Sequence, residues 1–411
     1  MKILYFHQYF GTPRGASGTR SYEMANALIK AGHDVTMVCA SSDRSATGLE
    51  APFAGGRRRG WVDGIDVIEF DLAYSNSDSM IARSLKFIRF AMRSVIVALR
   101  EPCDLVFASS TPLTAGIPGI CARLLRRKPF VFEVRDLWPE LPRAMGMRNP
   151  ILLAGMSILE RASYATADRV IGLAPGIVDG IARTGKSRDA VALVPNGCDF
   201  DLFDTAEPLV PHTMFPQDIA STDFVAIFAG AHGRANGLDA VIAAAEVLER
   251  RGRKDIKLLL IGRGSEKLKL QKRAAELGLS NVIFADAMPK ATVAGLIKGA
   301  GAGLQVLANL PAFYEGTSPN KFFDYLAAGR PVVINYPGWL ARMVEQDKCG
   351  IAVPPENPEA FADALAALAD NKQKIEDMGR AAAELGRRKF SRDVLAAQLE
   401  QVLTDVKRQH G

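Results

Sequence analysis

Short apolar strands that end in glycine-rich turns and lead into amphipathic helices recur along this chain. The first example is KILYFH at residues 2–7, followed by a turn at 11–19, a helix that stops near Gly32 and a second strand at 34–39. This order is the opening of a doubly wound parallel sheet, so we expect an α/β fold. The glycine spacing differs from the G-x-G-x-x-G fingerprint, which argues against a nicotinamide cofactor.

Gly15 and Gly18 in the first turn have two interpretations. They either form a tight turn or let the backbone approach a substrate at the carboxyl edge of the sheet. The residues alone leave both interpretations open.

The same rhythm starts again at residue 223, which predicts a second domain of the same kind. Residues 201–222 are rich in Pro, Asp and Thr with little periodicity, as expected of a linker. A chain of 411 residues is also too long for one ordinary core. We predict two Rossmann-like domains facing each other across a cleft: residues 1–200, joined by a returning terminal helix at about 392–411, and residues 223–391.

Charge is distributed unevenly between the two halves. Residues 1–200 hold 25 Lys and Arg against 19 Asp and Glu, whereas residues 201–411 hold 26 of each. The whole excess of +6 therefore lies in the first half, which points that half toward an anionic partner such as a membrane surface. Nucleic acid is not expected, because the aromatic-basic clustering typical of its binders is missing.

Three sequence features predict the compartment and the cofactor requirement. The five cysteines are far apart and lack a C-x-x-C spacing, which favours a reduced, cytoplasmic location. Lys and Arg interrupt the apolar stretches and the N-terminus has no signal-peptide pattern, so we expect neither a membrane span nor secretion. Five scattered histidines without H-E-x-x-H predict that no metal is needed.

The stretch from Glu315 to Gly338, EGTSPNKFFDYLAAGRPVVINYPG, contains the strongest functional signal. A helix that begins at its Ser-Pro step presents free backbone N–H groups and a positive dipole end, which attract an anion. Lys321 adds a full positive charge in the first turn, and Glu315 and Asp324 add acceptors for sugar hydroxyls. The stretch therefore predicts a nucleotide-sugar pocket.

Two glycine-rich loops and a lysine corner follow neighbouring strands of the same predicted sheet. The loops are Gly230–Gly237 and Gly262–Gly264, and the corner is Met288–Lys290. Glycine loops bind phosphate because their N–H groups converge on it without side-chain obstruction. These segments supply the candidate ligands Gly233, Arg234, Asn236, Arg263 and Met288.

The segment EVRDLWPE, residues 133–140, ends a predicted strand in charged residues and a tryptophan. The carboxyl ends of parallel strands border the ligand crevice, so Asp136 and Glu140 are placed to orient a sugar acceptor. Trp138 would stack on the apolar face of that sugar, and Arg135 is a further acceptor-binding candidate. The alternative is an Arg135–Asp136 salt bridge that caps the next helix.

A helix predicted from about Ser79 to Arg100 has an apolar stripe and a basic face. The stripe contains Ile81, Leu85, Ile88, Met92, Val95 and Leu99, and the basic face contains Arg83, Lys86, Arg89, Arg93 and an outward Phe90. Basic residues interleaved with an outward aromatic are typical of a helix that lies on an anionic membrane. The alternative is a core-facing helix whose basic side is merely solvated.

Four segments in family order resemble the retaining glycosyltransferases of family 4, which have the two-domain GT-B fold. They are HQYFGTPRGASGTRSYEMANALIKAGHDVTMV, VPNGCDFDLF, LIGRGSEKLKL and SPNKFFDYLAAGRPVV, and the likeness covers essentially the whole chain. EVRDLWPE resembles a branch that builds bacterial surface polysaccharides, including enzymes that transfer N-acetylated amino sugars or deoxy sugars.

The resemblance implies that the donor binds in the C-terminal domain. Arg234 and Lys321 would contact the diphosphate, and Asp324 or Glu315 would contact ribose or sugar hydroxyls. Asp136 stands where many members have a catalytic-crevice histidine. The full set of donor-binding candidates is Gly15, Gly18, Gly233, Asn236, Arg263, Met288, Glu315, Ser318, Asn320 and Asp324.

The expected reaction is sugar transfer, with retained anomeric configuration and no metal, from a nucleotide diphosphate, with UDP favoured. The acceptor would be lipid-linked or a glycan, and the protein would be peripheral at the inner face of the cytoplasmic membrane. A nucleotide-sugar epimerase or hydrolase on the same fold, which would consume the donor without an acceptor, is one alternative. A non-catalytic nucleotide- or glycan-binding protein is the other.

Overall fold

An eight-stranded sheet forms the centre of the first of two units in the computed structural model, which describes residues 1–15, 18–42, 46–74 and 80–410. This unit contains residues 1–195 and 393–411. Its strands are β1 (Lys2–Phe6), β2 (Asp34–Ser42), β3 (Arg57–Val62), β4 (Ile65–Tyr74), β5 (Leu105–Ser109), β6 (Phe130–Val134), β7 (Arg169–Gly172) and β8 (Val191–Leu193). Its helices are α1 (Arg20–Lys30), α2 (Met80–Arg100), α3 (Gly116–Arg126), α4 (Glu140–Ala144), α5 (Pro150–Thr166) and α6 (Pro175–Arg183). Ala16, Ser17 and Ser79, which belong to the predicted turn and helix start, lie outside the described residues.

The strand order of the first sheet is β3-β4-β2-β1-β5-β6-β7-β8, and every pair is parallel except β3 with β4. Strands β5 and β6 are buried along their whole length because both faces of a parallel sheet are covered by helices. The chain winds outward from β1 through β2 and then, on its other side, through β5. The topological switch point, where ligands bind in such sheets, therefore lies between β1 and β5.

The second unit, residues 196–392, is built around a six-stranded parallel sheet of order β11-β10-β9-β12-β13-β14. The strands are β9 (Phe224–Ala229), β10 (Ile256–Ile261), β11 (Val282–Ala285), β12 (Ala302–Gln305), β13 (Val332–Ile334) and β14 (Gly350–Ala352). The helices are α7 (Phe200–Thr205), α8 (Pro211–Met214), α9 (Asp239–Arg250), α10 (Lys267–Glu276), α11 (Lys290–Gly299), α12 (Pro311–Tyr314), α13 (Asn320–Ala327), α14 (Trp339–Gln346), α15 (Pro358–Ala369) and α16 (Lys372–Phe390). Its switch point lies between β9 and β12. The two sheets confirm the predicted doubly wound α/β class.

The last helix, α17 (Arg392–His410), packs into the core of the first unit. Leu395, Leu399, Leu403 and Val406 are all buried there. Their spacing of three to four residues places them on one helical face, which is why the terminal segment forms a helix at this site. The first unit is thus closed by a segment nearly 200 residues distant in sequence from β8.

The segment expected to be a linker, residues 201–222, contains α8 and most of α7 and belongs to the second unit. The Lys298 side chain donates to the carbonyl oxygens of Phe203 and Ala206 at 2.8 and 2.6 Å. The Leu209 backbone N–H donates to Gly295 O at 2.9 Å. A Cβ at Gly295 would collide with Glu207 O, so this close approach to α11 requires glycine.

Candidate functional site

Lys321 lies at the switch point of the second sheet, in the first turn of α13. Its Nζ donates to Asn236 Oδ1 at 2.8 Å and lies 4.8 Å from the centre of the Phe228 ring. Asn236 belongs to the loop after β9, and Phe228 to β9 itself. We call Lys321, Asn236, Phe228 and the loops 230–237 and 262–264 the Lys321 site.

The electrostatics of Lys321 follow from its surroundings. Burial lowers the pKa of Lys321 to about 8, although the Asp324 carboxylate opposes this shift. Pro319 at the N-cap of α13 offers no side-chain cap to the first-turn N–H groups among the described residues. Those donors and the ammonium group point to the same end of the helix, which makes this end suitable for an anion.

The two glycine loops of the Lys321 site are packed directly on one another. His232 N donates to Arg263 O, and Glu266 N donates to His232 O, both at 2.9 Å. A Cβ at Gly262 would overlap Gly230 O, and one at Gly264 would overlap His232 O, so both positions require glycine. The ends of β9 and β10 therefore meet beside Lys321, as the sequence predicted for loops of one sheet.

His232, which the sequence analysis did not select, is fully buried in this loop pair. Its ring lies 6.0 Å from that of Phe228 and 6.3 Å from that of Phe284. Burial lowers its pKa to about 4, and the nearby Lys267 acts in the same direction, so the imidazole is neutral at pH 7. The glycines around it were the visible signal, but a buried histidine cannot be recognised from a glycine loop alone.

Asp324 and Ser318, both expected to bind the donor, occupy different surroundings. Burial raises the pKa of Asp324, and Lys290 opposes the shift. Ser318 Oγ accepts from Asn196 N at 3.0 Å, and Asn196 Nδ2 donates to Ser318 O at 2.5 Å. The Ser318 contacts hold the chain before α13 against the residue that opens the second unit. Asp199 nearby accepts from Lys290 at 2.9 Å and Arg392 at 2.6 Å.

The remaining second-unit candidates are more exposed. Glu315 forms a two-bond ion pair with Arg342, at 2.7 and 2.8 Å, and both side chains are about half exposed. Arg342 lies 27 residues downstream, and no motif pointed to it. Arg234, Arg263 and Asn320 are exposed, whereas Met288 and Gly233 are half-buried. Among the described residues, none of these five forms a side-chain hydrogen bond with Lys321.

In the first unit, the segments after β5 and β6 meet at the switch point. Arg135 N donates to Ser110 Oγ at 3.0 Å, and Arg135 Nη1 lies 3.4 Å from His7 Nε2. Asp136 accepts from Thr111 Oγ1 at 3.1 Å, and burial raises its pKa. Helix α4 begins after Pro139 without a side-chain cap among the described residues. Asp136 is therefore held by Thr111 and not by the salt-bridge cap of the alternative interpretation.

The other acceptor candidates lie nearby in the chain. Trp138 is half-buried, and its Nε1 is buried without a recorded partner among the described residues. Glu140 is exposed and lies 3.3 Å from Arg183 Nη2. Gly15 is half-buried and Gly18 exposed in the turn before α1.

A buried ion pair that the sequence analysis missed connects several elements at this edge of the first sheet. Arg20 donates to Glu133 Oε2 at 2.8 Å and to the carbonyl oxygens of Val194 and Pro195, and Ser109 Oγ donates to Glu133 at 2.7 Å. Burial alone would raise the pKa of Glu133, but Arg20 outweighs it and the pKa lies below its usual range. One arginine thus ties the start of α1 to the ends of β6 and β8.

Helix α2 packs through a different face from the one predicted. Phe90, expected to point outward, is fully buried, with its ring 6.1 Å from that of Phe70 on β4. Leu85, Ile88 and Met92 in the predicted core stripe are 50, 53 and 61% exposed. The correction has a packing cause: Ala91, Ser94 and Ala98 are small and buried, and they share one face of α2 with the buried Phe90 and Val97. This helix packs against both α3 and β4.

The predicted basic residues of α2 fall into two groups. Arg83 and Arg89 are exposed. Lys86 Nζ donates to Ala73 O at 2.6 Å, and Arg93 Nη1 donates to Gly56 O at 2.8 Å. Lys86 and Arg93 therefore connect α2 to the backbone next to β3 and β4.

Within residues 1–15, 18–42, 46–74 and 80–410, none of the helices is long and apolar enough to cross a membrane. No group of three or more His, Cys, Asp or Glu in those ranges is arranged to hold a metal ion.

Comparison with known families assigns the chain. The family described as "Glycosyl transferase 4-like domain" matches residues 15–197, and the family "Glycosyl transferases group 1" matches residues 211–385. The chain belongs to glycosyltransferase family 4. The two matches cover both units and confirm the family expected from the sequence.

Three known proteins illustrate what this chain is similar to. It is 30% identical to a D-inositol 3-phosphate glycosyltransferase of Pseudarthrobacter chlorophenolicus over 50% of this chain and 52% of that protein. The chain thus spans about half the length of such curated relatives. It is 21% identical to the putative colanic acid biosynthesis glycosyl transferase WcaI of Escherichia coli K12, over 88 and 90% of the two chains. The crystal structure of Anabaena HepE with UDP and glucose matches with a TM-score of 0.71 and 17% identity, over 98 and 99%, and shows the same fold.

Proposed function

We propose that this family member transfers a sugar from a nucleotide diphosphate to a lipid-linked or glycan acceptor during surface-polysaccharide synthesis. The observation that carries the proposal is the position of Lys321 at the switch point of the second sheet, held by Asn236 beside two interlocked glycine loops. A cation, backbone N–H groups and glycine loops at one sheet edge are suited to a departing diphosphate.

UDP is the proposed nucleotide. The solved Anabaena protein of the same fold holds UDP and glucose, which supports this choice. The similarity to a colanic acid transferase supports a polysaccharide product, and the EVRDLWPE resemblance favours an N-acetylated amino sugar or a deoxy sugar. Retention of the anomeric configuration is proposed from the family 4 resemblance.

The leaving group is proposed to be stabilised without a metal. Lys321, Arg234 and the first-turn N–H groups of α13 would bear the charge that develops on the diphosphate. Such groups are fixed by the fold before the substrate arrives, so little reorganisation is needed during the reaction. Full transfer activity in excess EDTA is the expected outcome, and dependence on added Mg²⁺ or Mn²⁺ would overturn this part.

The acceptor is proposed to bind at the edge of the first unit. Asp136 would orient the acceptor hydroxyl, and its buried surroundings and the Thr111 hydrogen bond fix its direction. Arg135, Trp138 and Glu140 follow or precede it on the same segment and would complete the contacts.

An anionic membrane surface, at the inner face of the cytoplasmic membrane, is the proposed location. Arg83 and Arg89 are exposed on α2, and the same helix exposes the side chains of Leu85, Ile88 and Met92. Exposed basic and apolar residues on one helix allow both attraction to anionic lipid and shallow insertion. A peripheral position would bring a lipid-linked acceptor to the protein.

The deciding experiment is a panel of UDP-sugars assayed with a short-chain polyprenyl diphosphate-linked N-acetylglucosamine. We expect UDP release with one donor, strongly dependent on the acceptor, together with a longer glycan product by mass spectrometry. Donor consumption at the same rate without acceptor would instead indicate an epimerase or hydrolase. Binding of UDP-sugar with no turnover across donor and acceptor panels would indicate a non-catalytic binding protein.

A further inference from the structure

His7 and Gln8 directly follow β1, at the switch point of the first sheet. Their exposures are 2% and 0%, so both side chains are enclosed by protein. The backbone fixes them there, since His7 N donates to Val38 O and Ala40 N donates to Gln8 O, both at 3.1 Å. Neither residue belongs to a segment that the sequence analysis assigned to a ligand.

The contact with Arg135 decides which ring nitrogen of His7 carries the proton. A guanidinium group can only donate hydrogen bonds, so His7 Nε2, 3.4 Å from Arg135 Nη1, must be the acceptor. Burial lowers the pKa of His7 to about 3, and Arg135 acts in the same direction, so the ring is neutral. The single ring proton is therefore on Nδ1.

The Nδ1–H group of His7 and both polar atoms of Gln8 lack a hydrogen-bond partner among the described residues. All three atoms are buried and make no hydrogen bond to the described residues. Buried polar groups in folded proteins are almost always paired, because an unpaired group loses its hydration without compensation. Three such atoms on consecutive residues at a switch point indicate a polar partner outside the described residues.

We propose that His7 and Gln8 form a subsite for the hydroxyl groups of the acceptor sugar, beside Arg135 and Asp136. The chemistry fits neutral oxygen: His7 offers one N–H donor, and the Gln8 amide offers both donor and acceptor atoms. A phosphate would instead call for further free cationic groups, whereas Arg135 already donates to His7. This inference rests on the proposed transferase function.

A pair of substitutions separates the two ring nitrogens. The side-chain amide nitrogen of asparagine lies where Nδ1 of histidine does, whereas that of glutamine lies where Nε2 does. His7→Asn keeps the proposed donor, and His7→Gln removes it. With the short-chain polyprenyl diphosphate N-acetylglucosamine as acceptor, we expect His7→Gln to raise the acceptor KM about tenfold or more relative to His7→Asn. Both variants should have the Kd for UDP of the unmodified protein.

Gln8→Met provides the second test, because methionine has nearly the same shape without polar atoms. Replacing an unpaired buried amide by an apolar group relieves a desolvation penalty, so Tm should stay the same or rise. If the amide binds the acceptor, the acceptor KM should rise as well. A higher Tm with an unchanged acceptor KM for both Gln8→Met and His7→Gln would overturn the subsite and leave only buried water there.

Nitrogen NMR of the His7 imidazole tests the subsite separately from the transferase function, because the measurement needs no turnover. We expect a protonated Nδ1 in the unliganded protein and a shift of that signal when the same acceptor probe is added, but not when UDP is added. A protonated Nε2, or a signal that the probe does not move, would overturn the subsite. An acceptor that shifts the signal but is not extended by any UDP-sugar would instead count against the transferase function.

Discussion

The ammonium group of Lys321 is held by the amide oxygen of Asn236, 2.8 Å away, and not by a carboxylate. Because its partner is uncharged, the cation keeps its full charge for an incoming anion. Asp324 is the acidic group that acts on it electrostatically, and burial raises the pKa of that carboxyl. This arrangement leads to two predictions about the Lys321 site.

Removal of the cation should abolish transfer. Lys321→Ala is expected to lower kcat by a factor that corresponds to about 3 kcal/mol or more of transition-state stabilisation. The measurement is acceptor-dependent UDP release. Lys272→Ala is the matched control, since Lys272 is exposed on α10 and lies 3.7 Å from Glu276. Near-normal kcat for Lys321→Ala would remove this lysine from the reaction.

The protonation of Lys321 predicts an alkaline limit for donor binding. Its pKa in the folded protein is about 8, below the ordinary value of 10.5, so the positive charge is present below pH 8 and lost above it. The Kd for UDP should therefore rise as the pH increases through about 8. Between pH 8 and 10.5 the unfolded chain still binds a proton at Lys321 that the folded protein has lost. The free energy of unfolding should therefore increase as the pH rises across that interval.

Two variants check the alkaline limit. Lys321→Arg should bind UDP without that rise, because a guanidinium group stays charged. Asn236→Asp should move the rise to higher pH, since a carboxylate favours the charged form of its neighbour. A Kd for UDP that shows the same pH dependence in Lys321→Arg as in the unmodified protein would exclude Lys321 as the titrating group.

The fold could be predicted because its signals are local. Each strand, its glycine turn and the following helix are neighbours in sequence, and the pattern of KILYFH with its turn already specifies a parallel crossover. Lys321 could be selected as a candidate for the same reason, since the Ser-Pro step and the lysine are close in sequence. Its partner Asn236 is 85 residues away, and the partner of Arg135 is 128 residues away. Such pairs depend on the tertiary fold, and no sequence spacing encodes them.

Helix α2 shows why the prediction of its buried face was wrong. Periodicity correctly identified two faces, but large apolar residues were assumed to mark the buried one. In the structure the buried face is lined by Ala91, Ser94 and Ala98, which allow close packing, and by Phe90. Only the tertiary contacts decide whether the small-residue face or the large-residue face of the helix is buried.

The acceptor role of Asp136 predicts a specific loss. Asp136→Asn should lower transfer by roughly 10²-fold or more if the carboxylate positions or deprotonates the acceptor hydroxyl, with the Kd for UDP unchanged. Asp179→Asn is the control, because Asp179 is an exposed residue of α6 paired with Arg188. Transfer by Asp136→Asn at the unmodified rate would show that its hydrogen bond with Thr111 is structural.

Membrane binding can be assigned to α2 by flotation with vesicles that contain anionic lipid. Arg83→Glu with Arg89→Glu should weaken binding, by about 1 kcal/mol per lost basic residue, and Ile88→Ser with Met92→Ser should weaken it independently of salt. Lys86 and Arg93 are left intact because they hold backbone carbonyls.

The matched flotation control is Lys272→Glu with Arg380→Glu, which makes the same charge change on exposed residues of the second unit. It should float like the unmodified protein. Equal flotation of all three variants would reject α2 as the membrane-binding helix.

The buried Arg20–Glu133 pair predicts a large and asymmetric effect on stability. Both side chains are at most 4% exposed, so Arg20→Met leaves an unpaired carboxylate in the core and should lower the free energy of unfolding by about 3–5 kcal/mol. Adding Glu133→Gln should recover part of that loss, because the second variant removes the buried charge. Arg188→Met, at the exposed pair with Asp179, should cost about 1 kcal/mol or less in the same urea titration. If Arg20→Met unfolds at the same urea concentration as Arg188→Met, the pair does not hold β6 and β8 to the start of α1.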